Sequence, residues 1–205
     1  MILIGLTFYE VIASNRDWQH WRGPDKNGFA PSSNPPTHWS EKKNIRWKVR
    51  VAGAGASTPI IWKDKIFLLS VVDTGKVDPS LLRPEDQPKR VFDITHPNTE
   101  FKFLVLCLDR KTGKELWRRV ATRLIPHEGT HRDNNFASAS PTTDGELLYC
   151  WFGSAGLFCY DLAGKKVWER NLGEVKIGAS LGEGCSPVLY QDKLVILRDN
   201  RGQST

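Results

Sequence analysis

One stretch of this chain occurs twice, and the recurrence constrains the fold more than any other feature. Phe103 to Trp117 reads FLVLCLDRKTGKELW, and Gly156 to Trp168 reads GLFCYDLAGKKVW. Cys107, Asp109, Gly113 and Trp117 fall on Cys159, Asp161, Gly164 and Trp168, with the two tryptophans 51 residues apart and the second turn one residue shorter. Each copy has the grammar of a hairpin. Leu104 to Leu108 is a continuous apolar, β-prone run, as expected of a strand covered on both faces. Asp109 opens a turn with a short acceptor side chain, and Gly113 supplies the positive φ that closes it. Glu115 to Trp117 begins the partner strand, where an indole has enough area to wedge one sheet against the next.

A second element precedes each copy. Ser57-Thr58-Pro59, Ser140-Pro141 and Ser186-Pro187 each lead into a short strand, a polar turn and another apolar strand. Proline at the start of a strand removes no ladder bond that matters there. The unit is therefore four strands long. Sheets of this size repeated at a period of about 40–50 residues are the signature of propeller blades. The expectation is an all-β chain forming a partial β-propeller of four-stranded antiparallel blades. Blade one spans 57–120 with an insert over 73–100, and blade two spans 138–172. Blade three covers 186–205 and stops before its own Asp–Gly–Trp unit. The alternation of Ile45, Trp47, Val49 and Val51 with Arg46, Lys48 and Arg50 predicts a strand over 45–51 that completes the last blade of the ring.

The two Trp-ended units, each downstream of a Ser-Pro strand, resemble the pyrroloquinoline-quinone-type (PQQ-like) β-propeller repeat. Trp18-Gln19-His20-Trp21-Arg22-Gly23-Pro24 is similar to the opening segment of exported propellers of that type. The resemblance implies a full ring of about seven or eight radial blades, of which this chain holds about two and a half. It also implies export, and many such propellers bind no quinone.

The chain has 205 residues, a net charge of +6, eight Trp and four Cys. The composition is that of an ordinary globular protein. Residues 15–44, rich in Trp, Pro and Gly, read as an irregular arm over the ring. Residues 1–14 read as a secretory signal segment: Ile2 to Phe8 is apolar, and Val11-Ile12-Ala13 offers cleavage-site spacing. That run is too short for a membrane span. The expected location is the periplasm or cell envelope.

The candidate sites are few. His127-Glu128-Gly129-Thr130-His131 matches the letters of a zinc-protease motif, but that chemistry needs both histidines on one face of a helix. Pro126 and Gly129 oppose a helix, so the match is read as chance and no metal is expected. His127, Glu128, His131, Arg132 and Asp133 are instead read as a loop facing a ligand near the axis. Cys107 and Cys159 read as small core residues. If 153–156 is the turn between the second and third strands, Phe152 faces Leu157 and Cys150 faces Cys159, which leaves a disulfide or two buried thiols open. The basic run Lys42 to Arg50 reads as a solvated strand face, with Trp47 on the opposite side, and argues against nucleic acid. Gly182-Glu183-Gly184 leads into no helix and reads as a turn without the donors of a phosphate site. Trp47, Asp109, Gly113, Trp117, Asp161, Gly164 and Trp168 are read as structural repeat positions. The expected function is non-catalytic: an exported scaffold that binds protein or carbohydrate. The alternative is a PQQ-dependent oxidoreductase using PQQ and calcium, with a site completed by further blades.

Overall fold

A computed structural model describes residues 17–30, 33–88, 91–198 and 201. The proposed signal segment, residues 15, 16, 31 and 32 of the arm, and all but 201 of the last seven residues lie outside the described set. The chain is all-β. β1 (Ile60–Trp62), β2 (Lys65–Val77), β3 (Thr99–Asp109) and β4 (Glu115–Leu124) form one antiparallel sheet in the order β1-β2-β3-β4. β5 (Thr142–Thr143), β6 (Leu147–Trp151), β7 (Leu157–Asp161) and β8 (Lys166–Arg170) form a second in the same order. β9 (Val188–Tyr190) and β10 (Lys193–Val195) pair as a hairpin that begins a third. These are successive blades of a partial β-propeller.

The core lies between blades. Phe67, Leu69, Val71, Phe103, Val105 and Cys107 from blade one meet Leu148, Cys150, Phe152, Phe158 and Tyr160 from blade two. Alternate residues of one strand supply this contact because side chains point to opposite faces at period two. Each such large side chain, fully buried, contributes about 1.5–3 kcal/mol. The other face of blade two packs Trp151 and Leu157 against Leu194 of β10 and Ile196 just beyond it, with Trp168 beside them.

The blades are also joined by a recurring contact at their outer edge. Trp117 donates its indole N–H to the Leu162 carbonyl at 3.3 Å and covers Gly164. A Cβ on Gly164 would stand 2.7 Å from that ring. Trp47 has the same relation one blade earlier, donating to the Arg110 carbonyl at 3.0 Å and covering Gly113, where a Cβ would lie 2.5 Å from the ring. Both glycines have positive φ, +75° and +85°, so close approach and backbone conformation exclude other residues together. Asp109 and Asp161 hold the turns by accepting backbone N–H groups from Thr112 at 2.7 Å and from Ala163 and Lys165 at 3.0 and 2.8 Å. Hydrogen bonds from Thr112 hold the Asp109 carboxyl below the usual carboxylate range. A second contact recurs at the Ser-Pro positions. Thr58 N–H donates to Ser140 Oγ at 2.8 Å, and Ser140 N–H donates to Ser186 Oγ at 2.9 Å.

The arm crosses the edge strands in turn. Trp18 exchanges two 2.8 Å backbone bonds with Ile61 of β1, Gln19 carbonyl accepts from Thr142 and Thr143 of β5, and Lys26 reaches the Leu189 carbonyl of β9. Pairing of this kind blunts exposed strand edges. Among the described residues no helix is long and apolar enough to cross a membrane.

Three expectations are corrected. Residues 45–51 are not a strand: Ile45 and Val49 are 45% and 42% exposed, and Trp47 is held by the turn it covers. Blade one continues past 120 to Leu124, and its insert begins later and ends earlier than 73–100, because β2 and β3 extend to Val77 and back from Thr99. The β6–β7 register is shifted by one. Trp151 pairs with Leu157, Cys150 with Phe158 and Tyr149 with Cys159. The connecting turn takes in Phe152, whose N–H bonds the Gly156 carbonyl at 3.0 Å around a 3-10 turn over Gly153–Ala155. A one-residue slip moves a side chain to the other face. Cys150 therefore lies in the core between blades one and two, and Cys159 lies opposite Trp168 on the other face. All four cysteines are free thiols. Burial raises the Cys150 thiol well above its ordinary value and pushes Cys107 up to about 12 and Cys159 to about 11.

Candidate functional site

Strands β2, β4 and β6 all end at one rim of the blades, and the connections that follow them gather there. The 125–141 connection leaves β4, the 152–156 turn leaves β6, and the 171–187 connection leaves β8. The insert of blade one leans onto the first of these. Ile94, 3% exposed, and the Thr95 carbonyl press against Gly129, where an added Cβ would stand 2.2 Å from that oxygen. Glycine at 129 is what lets the two segments touch.

Between blades one and two this rim encloses a cavity of about 150 Å³. Phe103, Phe136 and Phe152 form its apolar wall, and Phe103 and Phe152 meet edge to face at 5.4 Å between centroids. Glu128, Glu174 and Glu183 line it with His127, Ser154 and Asn135. Its polar groups are tied to the backbone of neighbouring loops. Glu128 accepts the Ile177 N–H at 3.1 Å, and Glu183 accepts the Ser154 N–H at 2.6 Å. His127 Nε2–H donates to the Val175 carbonyl at 2.9 Å, and Ser154 Oγ accepts the Val175 N–H at 3.1 Å. These four bonds tie the three loops into one wall.

Of the residues picked out from sequence, His127 and Glu128 line the cavity. His131 turns away: its Nδ1 accepts the Asp133 N–H at 3.2 Å, and its ring meets Phe92 edge-on at 6.0 Å. Arg132 and Asp133 side chains are 86% and 76% exposed. The stretch is not helical, so His127 and His131 serve separate loops instead of one ion. Among the described residues no group of three or more His, Cys, Asp or Glu is placed to hold a metal. Trp47, Gly113, Trp117 and Gly164 sit in the blade-to-blade contact, distant from this rim, with Asp109 and Asp161 at its turns. Trp168 packs on Tyr149 at 6.1 Å.

Sequence reasoning missed Glu174, Glu183, Ser154, Phe136 and Phe152. Glu183 had a local signal in its flanking glycines. Gly153 is the counterpart, since a Cβ there would lie 2.7 Å from the Glu183 carboxyl carbon, with φ at +61°. No protein-family model matches the chain, and no curated protein is similar to it.

Proposed function

We propose that this chain is part of an exported PQQ-like propeller that acts as a non-catalytic binding module and presents its loop rim to carbohydrate or protein. The observation that carries the reading is the cavity between blades one and two. It combines an aromatic wall with carboxylates already bonded to backbone N–H groups. A general acid or base has to be free to exchange a proton with substrate, whereas Glu128 and Glu183 are committed to fixing loop geometry. Preformed apolar pockets with a few oriented polar groups are what binding sites require. Aromatic faces suit the C–H faces of sugars, and the remaining carboxylate lone pairs accept hydroxyl hydrogens. The quinoprotein alternative rests on the family resemblance alone.

A glycan array followed by calorimetry on the purified chain tests this. Saccharide binding that weakens about tenfold or more in Phe136→Ala, a loss of about 1.4 kcal/mol, is the expected result. Binding indifferent to Phe136→Ala and to Glu183→Gln contradicts it.

A further inference from the structure

The arm ties all three blades at their edges, through Ile61, Thr142, Thr143 and Leu189. His20 stands between Gln19 and Lys26, which make two of those contacts, and is only 5% exposed. Its carbonyl accepts the Gly23 N–H at 2.8 Å, and its Nδ1 accepts the Arg22 N–H at 3.2 Å. A neutral imidazole with an accepting Nδ1 carries its proton on Nε2. That Nε2–H is inaccessible and has no partner among the described residues, and the same is true of the adjacent Gln19 Oε1.

The charges bearing on the ring are of one sign. Burial, then Lys26 and Arg22, lower its pKa from the ordinary 6.5. No described carboxylate is bonded to it. β1, β5 and β9, along which the arm lies, contain no charged residue. Asp17 accepts the Lys63 N–H at 2.8 Å and faces Arg110 at 3.8 Å. Asp144 holds its own turn and the Tyr149 hydroxyl. Asp64 and Asp192 pair with the lysines that follow them, and Asp25 is exposed.

We propose that His20 is an acid-released latch: a second proton on its ring lifts residues 17–30 from the edges of the blades. That proton would sit on Nδ1 and face the Arg22 N–H, donor against donor. It would also add a third cation beside Arg22 and Lys26 where water does not reach. In the lifted arm the ring is hydrated and takes its proton at the ordinary value. The seated arm therefore binds fewer protons than the lifted one. Seating is complete above about pH 6.5 and weakens as pH falls below it, by up to about tenfold per unit. Two buried, unpartnered polar atoms already cost the seat their desolvation, so local opening is within reach of such a shift. Lifting frees the backbone groups of Ile61 and Thr143, edge positions to which another extended segment can add. The inference does not depend on the carbohydrate reading.

The test is amide hydrogen exchange of the full chain at pH 7.5 and 5.0, read as protection factors so that intrinsic exchange cancels. The expected result is that Trp18 and Ile61 lose about tenfold or more of their protection at pH 5.0 while Leu106, in the core, keeps its own. His20→Asn retains an acceptor for the Arg22 N–H and cannot titrate, so its Trp18 and Ile61 protection should be the same at both pH values. Nitrogen NMR of the wild-type ring gives a second reading that needs no variant: Nε2 protonated at pH 7.5, and a midpoint below 6.5 while Trp18 stays protected. Unchanged wild-type protection at pH 5.0, a loss that persists in His20→Asn, or a ring that titrates at or above 6.5 in the seated arm each overturns the latch.

Discussion

Blades one and two use the same four strands in the same order, yet they differ where their second and third strands join. Blade one inserts residues 78–98 there; blade two turns through 152–156. At the opposite end of the same strands the blades agree closely: each has an Asp-opened, Gly-closed turn covered by a tryptophan from the preceding segment. The comparison separates two tasks. The turn edge carries the blade-to-blade lock, where a missing Cβ is a steric necessity. The loop rim carries the variation, and its few fixed contacts shape a cavity.

The largest expected effect is at the lock. Trp117→Ala removes an indole packed on Phe67, at 5.9 Å, and on Tyr160, at 6.5 Å. It should cost about 3–5 kcal/mol in urea unfolding, and a loss under about 1 kcal/mol breaks the comparison. Gly164→Ala sharpens it. Gly164 and Gly173 share positive φ, +85° and +77°, but a Cβ on Gly173 meets open space. Gly173→Ala should therefore cost about 1 kcal/mol for backbone conformation alone. Gly164→Ala should add about 1–3 kcal/mol of overpacking against Trp117. Equal losses at both sites contradict a ring seated on Gly164.

Ser140→Ala strands the Thr58 N–H and is expected to cost about 1–3 kcal/mol. Tyr160→Phe tests the same core with the opposite sign. The Tyr160 hydroxyl is buried and has no partner, so its removal should leave stability unchanged or raise it by about 1 kcal/mol. At the rim, Gly129→Ala should barely move the urea midpoint, since it displaces the insert and leaves the sheets intact, yet it should weaken saccharide binding. The buried thiols set the limit on the alkaline side. Cys107 and Cys159 keep their protons to about 12 and about 11 in the folded chain, against an ordinary 9.0. Their contribution is complete below about pH 9 and is lost as pH rises through those values. Alkaline melts should show the loss, and a flat profile from pH 8 to 11 contradicts it.

Most of the lock was legible in sequence because it is built from residue types with few uses: glycine closing a turn, aspartate opening it, tryptophan at the edge; that the ring lies on the glycine was not. The strand order followed from the repeat. The β6–β7 register was not legible, since nothing in Phe152-Gly153-Ser154 tells a four-residue turn from a five-residue one, and one residue decides the face of Cys150. The 45–51 segment misled for a related reason. Its alternation is that of a strand, but burial of its apolar side depends on a neighbouring sheet that only tertiary structure supplies. The cavity was half visible. His127 and Glu128 stood out by type, whereas Glu174, Glu183 and Phe136 are ordinary loop residues brought together by blade packing.

The central claim is that successive blades are joined by an indole lying on the next blade's turn glycine. The most direct test is proton NMR of the Gly164 α-hydrogens. The account predicts strong NOEs to the Trp117 ring protons and an upfield ring-current shift that disappears in Trp117→Leu. Random-coil Gly164 shifts without those NOEs would contradict it.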